Sequence, residues 1–330
     1  MANLKLKAKL VPLAVVAGCL TVFGMAAQAA NYPSQPIRVI VPFAPGGSTD
    51  IVTRIVTEKM SQVLGQPIVV ENKGGAGGAI GAQEAARAAP NGYTLSIATI
   101  STLAVNPACR PDNLPYKPLE DFLPVTNFAN VPNVIEVNPQ FPAKNFKDFV
   151  AALKANPGKY SYGSSGTCSV LHLFGEAFKQ ATGTEAQHVP YKGAGPAVAD
   201  AVGGHIEIMF DNLPSSMGQI QAGRLLPMAI AWPERLKALP NVPTLAEEGY
   251  PQLNRPAWYG LLAPKGTSPE IIKTLRDAAV QALKDPSVVQ ALEKQGAAPS
   301  GNTPEEFGKE IKEQYDWAHE VVSKGNIKLE

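Results

Sequence analysis

The sequence is poor in the residues that usually do chemistry. Four histidines and three cysteines are scattered over 330 residues, and none stands at a metal-ligand spacing, so neither a metal nor a cofactor is expected. No block of Lys or Arg occurs, which removes nucleic acid as a partner. Beyond residue 27 no apolar run is long enough to cross a bilayer. A nucleophile elbow is missing too: Gly163, Ser164, Ser165, Gly166 and Thr167 have the wrong spacing. The glycines 74, 75, 77, 78 and 81 follow a strand-like run, but counted from Gly75 the third glycine of a dinucleotide fingerprint should fall at Ile80. They read instead as a loop that exposes its backbone. Internal repeats and low-complexity tracts are also absent.

What is present begins with Lys5, Lys7 and Lys9, an apolar run from Leu10 to Ala27, and the close Ala27, Gln28, Ala29. Basic start, apolar middle and A-x-A end make a secretory signal over residues 1–29. Val16, Ala17, Gly18 and Cys19 resemble a lipoprotein box, which would tether the chain at Cys19, although the following residues stay apolar. Removing three lysines takes the formal charge from +1 to −2. The product is an exported, periplasmic chain of two ordinary domains. Its remaining cysteines, Cys109 and Cys168, are free to pair in an oxidising compartment; two buried thiols are the alternative.

The mature chain alternates strands and helices. Ile37 to Val41 is an apolar β-branched run that stops at Pro42, passes Pro45, Gly46 and Gly47, and restarts at Ser48 as a helix. Glycines bring the backbone close to a ligand, and a helix start offers unbonded amides to an anion. Tyr93 to Ala98 is a strand with Thr99 and Ser101 past its carboxyl end, the edge where α/β sheets gather ligands. Val125 to Val137 is long for one strand and broken at Pro132, so it can carry the chain into a second lobe, and Leu225 to Trp232 can carry it back. Between them the first loop's design recurs: the strand Tyr160 to Gly163, then Ser164, Ser165, Gly166, Thr167, Cys168 and Ser169, then a helix holding His172 at the cleft edge. Another strand ends in Asp211 and Asn212. Trp258 and Tyr259, in WYGLLAP, read as core or hinge packing.

Taken together, PFAPGGSTD, ENKGGAGGAIGA, HLFGEAFK, HVPYKGAGPAVADAVGGHIEIMFDNLPSS, ALPNVPTLAEEGYP and WYGLLAPKGTSPEIIKTL resemble the Bug family, the TctC-type periplasmic substrate-binding proteins of tripartite tricarboxylate transporters. The resemblance runs from about Tyr32 to Ile327. It implies an α/β fold of two lobes, a type II-like Venus flytrap with a mixed central sheet in each. Residues 30–127 with 231–330 would form the first lobe and 128–230 the second. It implies a monomeric non-enzyme that holds a small carboxylate and hands it to two integral-membrane subunits. The ligand would be held by Phe43, Ala44, Gly46, Gly47, Ser48 and Asp50 of the first loop, with Thr99 and Ser101, and by Ser164, Ser165, Gly166, Thr167 and Cys168 of the second, with His172 and Asp211. Cys168 departs from the small polar residue common there, and a Cys109–Cys168 bridge would reshape the pocket. Two alternatives share these residues: a periplasmic sensor subunit with the same ligand, and a secreted hydrolase using Ser165, His172 and Asp211.

Overall fold

The computed structural model describes residues 32–324; the secretory segment and Cys19 lie outside them. Eleven strands among the described residues form two mixed sheets. In chain order the first lobe opens with β1 (Ile37–Val41), α1 (Ser48–Leu64), β2 (Ile68–Asn72), α2 (Ala79–Ala86), β3 (Thr94–Thr99) and β4 (Phe122–Val131). The second lobe contains β5 (Asn133–Val137), α3 (Phe146–Ala155), β6 (Ser161–Ser164), α4 (Val170–Thr182), β7 (Gln187–Pro190), α5 (Ala194–Gly203), β8 (Ile208–Asn212) and β9 (Leu226–Ala231). The chain then returns through β10 (Ala257–Pro264), α6 (Pro269–Leu283), α7 (Pro286–Lys294), β11 (Ala298–Pro299) and α8 (Pro304–Lys324).

The sheet orders are β11-β4-β10-β3-β1-β2 and β7-β6-β8-β5-β9. Both are wired alike. β1 lies parallel between β2 and β3, and β10 joins β3 antiparallel. Likewise β6 lies parallel between β7 and β8, and β5 joins β8 antiparallel. Parallel neighbours on both sides explain the almost fully buried run of β1. The chain changes sheets at Pro132, between β4 and β5, because Pro has no amide for the ladder. That point lies beyond the 127/128 boundary read from sequence. The return is also longer than expected: β9 stays in the five-stranded sheet, and residues 232–256 make the passage to β10.

Local signals set the helix ends. Val52, Val56 and Met60 repeat on the buried face of α1, and Gly65 stops it in the left-handed conformation. Ser169 caps α4 by accepting from the His172 amide, and Ser268 with Pro269 opens α6. Helix α5 starts at Ala194, since Pro196 in its first turn removes no helical hydrogen bond. The apolar interior has two parts. One is an aromatic cluster in the second lobe around Phe146, Phe149, Phe178 and Phe210. The other fills the first lobe and continues across the gap to Leu171, Ala194 and Leu213.

Candidate functional site

The parallel strands of both sheets point their carboxyl ends at the gap between the lobes, as α/β topology requires of a ligand site. From the first lobe come the β1–α1 loop and the residues after β3. From the second come the β6–α4 loop, the β7–α5 loop and the end of β8. They enclose a cavity lined by Phe43, Gly47, Ser48, Thr49, Thr99, Ile100, Ser101, Ser165, Val170, Leu171, Ala194, Asn212, Ala257, Trp258 and Tyr259. Among the described residues no charged side chain is in this wall. Instead the starts of three helices, α1, α4 and α5, converge on it, each carrying partial positive charge on its first amides.

The lobes are shut. The Ala44 amide donates to the Lys192 carbonyl at 3.0 Å. Ser48 Oγ donates to the Asn212 carbonyl at 2.5 Å and accepts from the Ser215 amide at 2.9 Å. The Val170 amide donates to Ser101 Oγ at 2.9 Å, and the Tyr259 hydroxyl to Asn212 Oδ1 at 2.7 Å. Backbone meets backbone as well: a Cβ on Gly195 would stand 2.3 Å from the Pro45 carbonyl oxygen, and one on Gly77 would stand 2.5 Å from that of Thr167. The space left is about 20 Å³, room for about one water.

Six of the residues singled out from sequence line this cavity: Phe43, Gly47, Ser48, Thr99, Ser101 and Ser165. The others stand behind it. Asp50 is occupied by the Gly46 amide at 3.0 Å, Arg54 Nε at 2.9 Å and Asn72 Nδ2 at 3.0 Å, so it braces the loop that holds Ala44 and Gly46. Ser164 is buried and bonds His188 Nε2 at 2.7 Å and the Gly166 amide at 3.1 Å. Gly166 packs on Gly77 and the Tyr191 carbonyl, and Thr167 faces Gly77. Cys168 is bonded to Cys109, so the pairing is the disulfide and not two thiols.

His172 Nδ1 accepts from the Cys168 amide at 3.3 Å, and its ring stacks on His188 with centroids 3.7 Å apart. Burial lowers His172 to about 4 and His188 to about 3, so both rings are neutral at physiological pH. Asp211 precedes Asn212 of the cavity wall on β8. Its Oδ2 accepts from Ser215 Oγ at 2.5 Å, while Oδ1 is buried without a partner. Burial pushes its carboxyl up to about 7. Glu136, diagonal to it on the same sheet face, is also fully buried, raised well above the carboxylate range by burial and then by Asp211, and neither of its oxygens has a partner. With His172 turned to its own loop and Asp211 to Ser215, no Ser-His-Asp relay is assembled.

Sequence reasoning missed the wall built by Ala257, Trp258 and Tyr259. Trp258 packs edge-on against Phe307, with its indole N–H buried and meeting no acceptor, and Tyr259 reaches across to the second lobe. Thr49 and Asn212 line the cavity beside Ser48 and Asp211, and Ala194 joins them from the start of α5.

Two lobes with matching sheets, joined by chain crossings at the hinge and holding a cavity between helix starts, are the build of a solute-binding protein. The model of the family "TctC: Tripartite tricarboxylate transporter family receptor" matches residues 52–327, and the chain belongs to that family, which is one of receptors and not of enzymes. BugT of Bordetella pertussis is 40% identical over 297 residues, 89% of this chain and 91% of that protein. A solved structure described as a periplasmic transporter is 74% identical, with TM-score 0.90 over 91% of this chain and 100% of that one. An adipate-bound protein of R. palustris is 32% identical (TM-score 0.86; 90% and 99% covered). The malate-bound MatC of Rhodopseudomonas palustris is 33% identical (TM-score 0.84; 88% and 100% covered).

Proposed function

We propose that this protein captures a small dicarboxylate between its lobes in the periplasm and delivers it to the two integral-membrane subunits of a tripartite transporter. One observation carries the reading: three helix N-termini meet at a cavity with no charged side chain among the described residues of its wall. Such a wall stabilises anions by amides and hydroxyls rather than by a fixed cation. An Arg clamp would hold an acid more tightly, and a transport protein must release its cargo. The shut cleft also shows how the donors are kept satisfied: the Val170 amide rests on Ser101 Oγ and the Ser215 amide on Ser48 Oγ. Parting the lobes frees those amides, and reclosing on a carboxylate replaces a hydroxyl acceptor with a charged one. Adipate and malate in the related structures have the two ends that such opposed helix starts would receive. The ligand drives closure only through these better contacts in the closed state.

The test is a thermal-shift and calorimetric screen of ligand-stripped protein against malate, adipate and other small mono-, di- and tricarboxylates, each beside its uncharged ester or amide. A diacid at a hundred times its dissociation constant should add about 2.7 kcal/mol, and its diester should add nothing measurable. Equal effects from acid and ester would overturn the anion reading.

A further inference from the structure

Two kinds of bond hold the cleft shut. The hydrogen bonds across the gap can break and reform with each opening. The second kind is covalent. Cys109 ends the helical turn Asn106–Cys109, which follows β3 and packs on α8 in the first lobe. Cys168 belongs to the β6–α4 loop of the second lobe. Their disulfide, with Cα atoms 6.0 Å apart, therefore ties one lobe to the other. It is a third connection, separate from the chain crossings at Pro132 and through residues 232–256. The cavity lies between them: Ala257 to Tyr259 line it beside the returning crossing, and Ser165 and Val170 line it beside Cys168.

Neither cysteine hangs on slack chain. Asn106 Nδ2 donates to the Gly77 carbonyl at 2.8 Å and to that of Ser101 at 2.9 Å, which fixes the turn bearing Cys109. The Cys168 amide is held by His172, and Ser169 immediately caps α4. Cys168 has φ +61, and Ala76 at φ +51 is the other described non-glycine residue in the left-handed region. The two lie at one place on the rim, since Gly77 touches both Thr167 and Cys168. A disulfide keeps its Cα atoms within about 7 Å. A hinge rotation that opened the rim would have to exceed that span.

We propose that the Cys109–Cys168 disulfide is a redox-controlled latch: oxidised, it holds the lobes together, and its reduction by a dithiol lets them part and exchange ligand. The thiolate of the dithiol attacks Sγ of Cys109, which is half-buried, whereas Cys168 is buried. A mixed disulfide forms and Cys168 leaves as a thiolate, just ahead of the first amides of α4, which favour that charge. The second thiol of the reductant then displaces Cys109. Two electrons and two protons pass from the dithiol to the protein, which ends with two thiols, and the reductant departs as a disulfide. With about 20 Å³ in the shut cleft, the latched form admits organic acids slowly, so the latch sets the rate of exchange and not the final occupancy. That consequence rests on the ligand reading above; the lobe motion does not.

The experiment is hydrogen–deuterium exchange on the mature protein, oxidised, reduced with dithiothreitol, and as the Cys109→Ser, Cys168→Ser double variant. The amides of Ala44, Val170 and Ser215 are protected by bonds that cross the gap. They should exchange at least about tenfold faster in the reduced and double-variant proteins, while the strand amides of β1 and β8 stay unchanged and reoxidation restores protection. Equal rates in oxidised and reduced protein would overturn the latch. So would an equal acceleration of the strand amides, which would make the bridge a staple of the fold. In parallel, association of malate and adipate should be at least about tenfold faster after reduction. If neither acid binds any form, the ligand reading fails and the exchange data still decide the latch.

Discussion

At the scale of single residues, the feature that asks most of the fold is the pair Glu136 and Asp211. Both carboxyls are fully buried, no cation among the described residues pairs with either, and the Ser216 hydroxyl lies beside them. Two such groups remain in the interior by keeping protons. The ordinary value for Asp211 is 3.8, and the folded value is about 7. The native state thus binds more protons than the unfolded chain between those limits. Stability from this site is full at acid pH and falls as pH rises from about 4 through 7. Asp211→Asn removes the charge at similar volume. The variant should gain on the wild type between pH 5 and pH 8 by about 2 kcal/mol, read by urea unfolding at the two pH values. A difference that does not change with pH would mean that Asp211 is ionised throughout. Nothing in the sequence announced the pair. In Asn133–Val137 Glu136 sits between Ile135 and Val137 and reads as the solvent residue of an alternating strand, yet its face carries Val134 and Met209 and is covered by α5, Leu213 and Met217.

At the scale of elements, the helix starts work only because glycine lets the opposite backbone approach them. Gly195 lies in the first turn of α5 with an ordinary φ, so alanine there suits the helix itself. Its Cβ would nevertheless meet the Pro45 carbonyl oxygen at 2.3 Å. Gly195→Ala should leave the second lobe folded and weaken dicarboxylate binding by about tenfold or more, a loss of about 1.4 kcal/mol, through the closed state alone. Gly218→Ala, whose Cβ would meet nothing within 4 Å, is the matched control. If calorimetry gave both variants the wild-type affinity, closure as drawn here would not be part of binding. Much at this scale was legible beforehand. The strand and glycine turn of β1–α1 stand together in the chain, although the cap there is Gly47 and Ser48 turns its hydroxyl to Asn212 and Ser215. The β10 wall was not legible. Its run is apolar throughout, so periodicity gives no face, and only its place between β3 and β4 brings Tyr259 to the gap. Asp50, which the resemblance places among the ligand contacts, is bonded to Arg54 one turn along its own helix and to Asn72, which becomes its neighbour only in the folded lobe.

At the scale of the whole molecule, the question is whether two lobes behave as one cooperative unit. The aromatic cluster of the second lobe is large enough to suggest a separate domain, but the other cluster does not stop at the lobe boundary. Val41 and Ile100 in the first lobe belong to the same buried set as Leu171, Ala194 and Leu213 in the second, and the disulfide adds a covalent tie across it. Unfolding either lobe alone would expose that shared surface and forfeit its burial at about 25 cal/mol per Å². The oxidised protein should therefore unfold in urea as a single transition. The chain carries its own probes for this. Its three tryptophans are Trp232 in the connecting passage, Trp258 on β10 and Trp317 on α8, so fluorescence follows the first lobe and the hinge, whereas far-UV circular dichroism follows all the helices. The two signals should coincide in the wild type. In Gly195→Ala, where the lobes cannot meet at the Pro45 carbonyl, the shared surface is weakened and the two midpoints should move apart, with the dichroism broadening into a second step. Coincident curves in the variant would place the coupling in the hinge and the disulfide rather than in the closed interface.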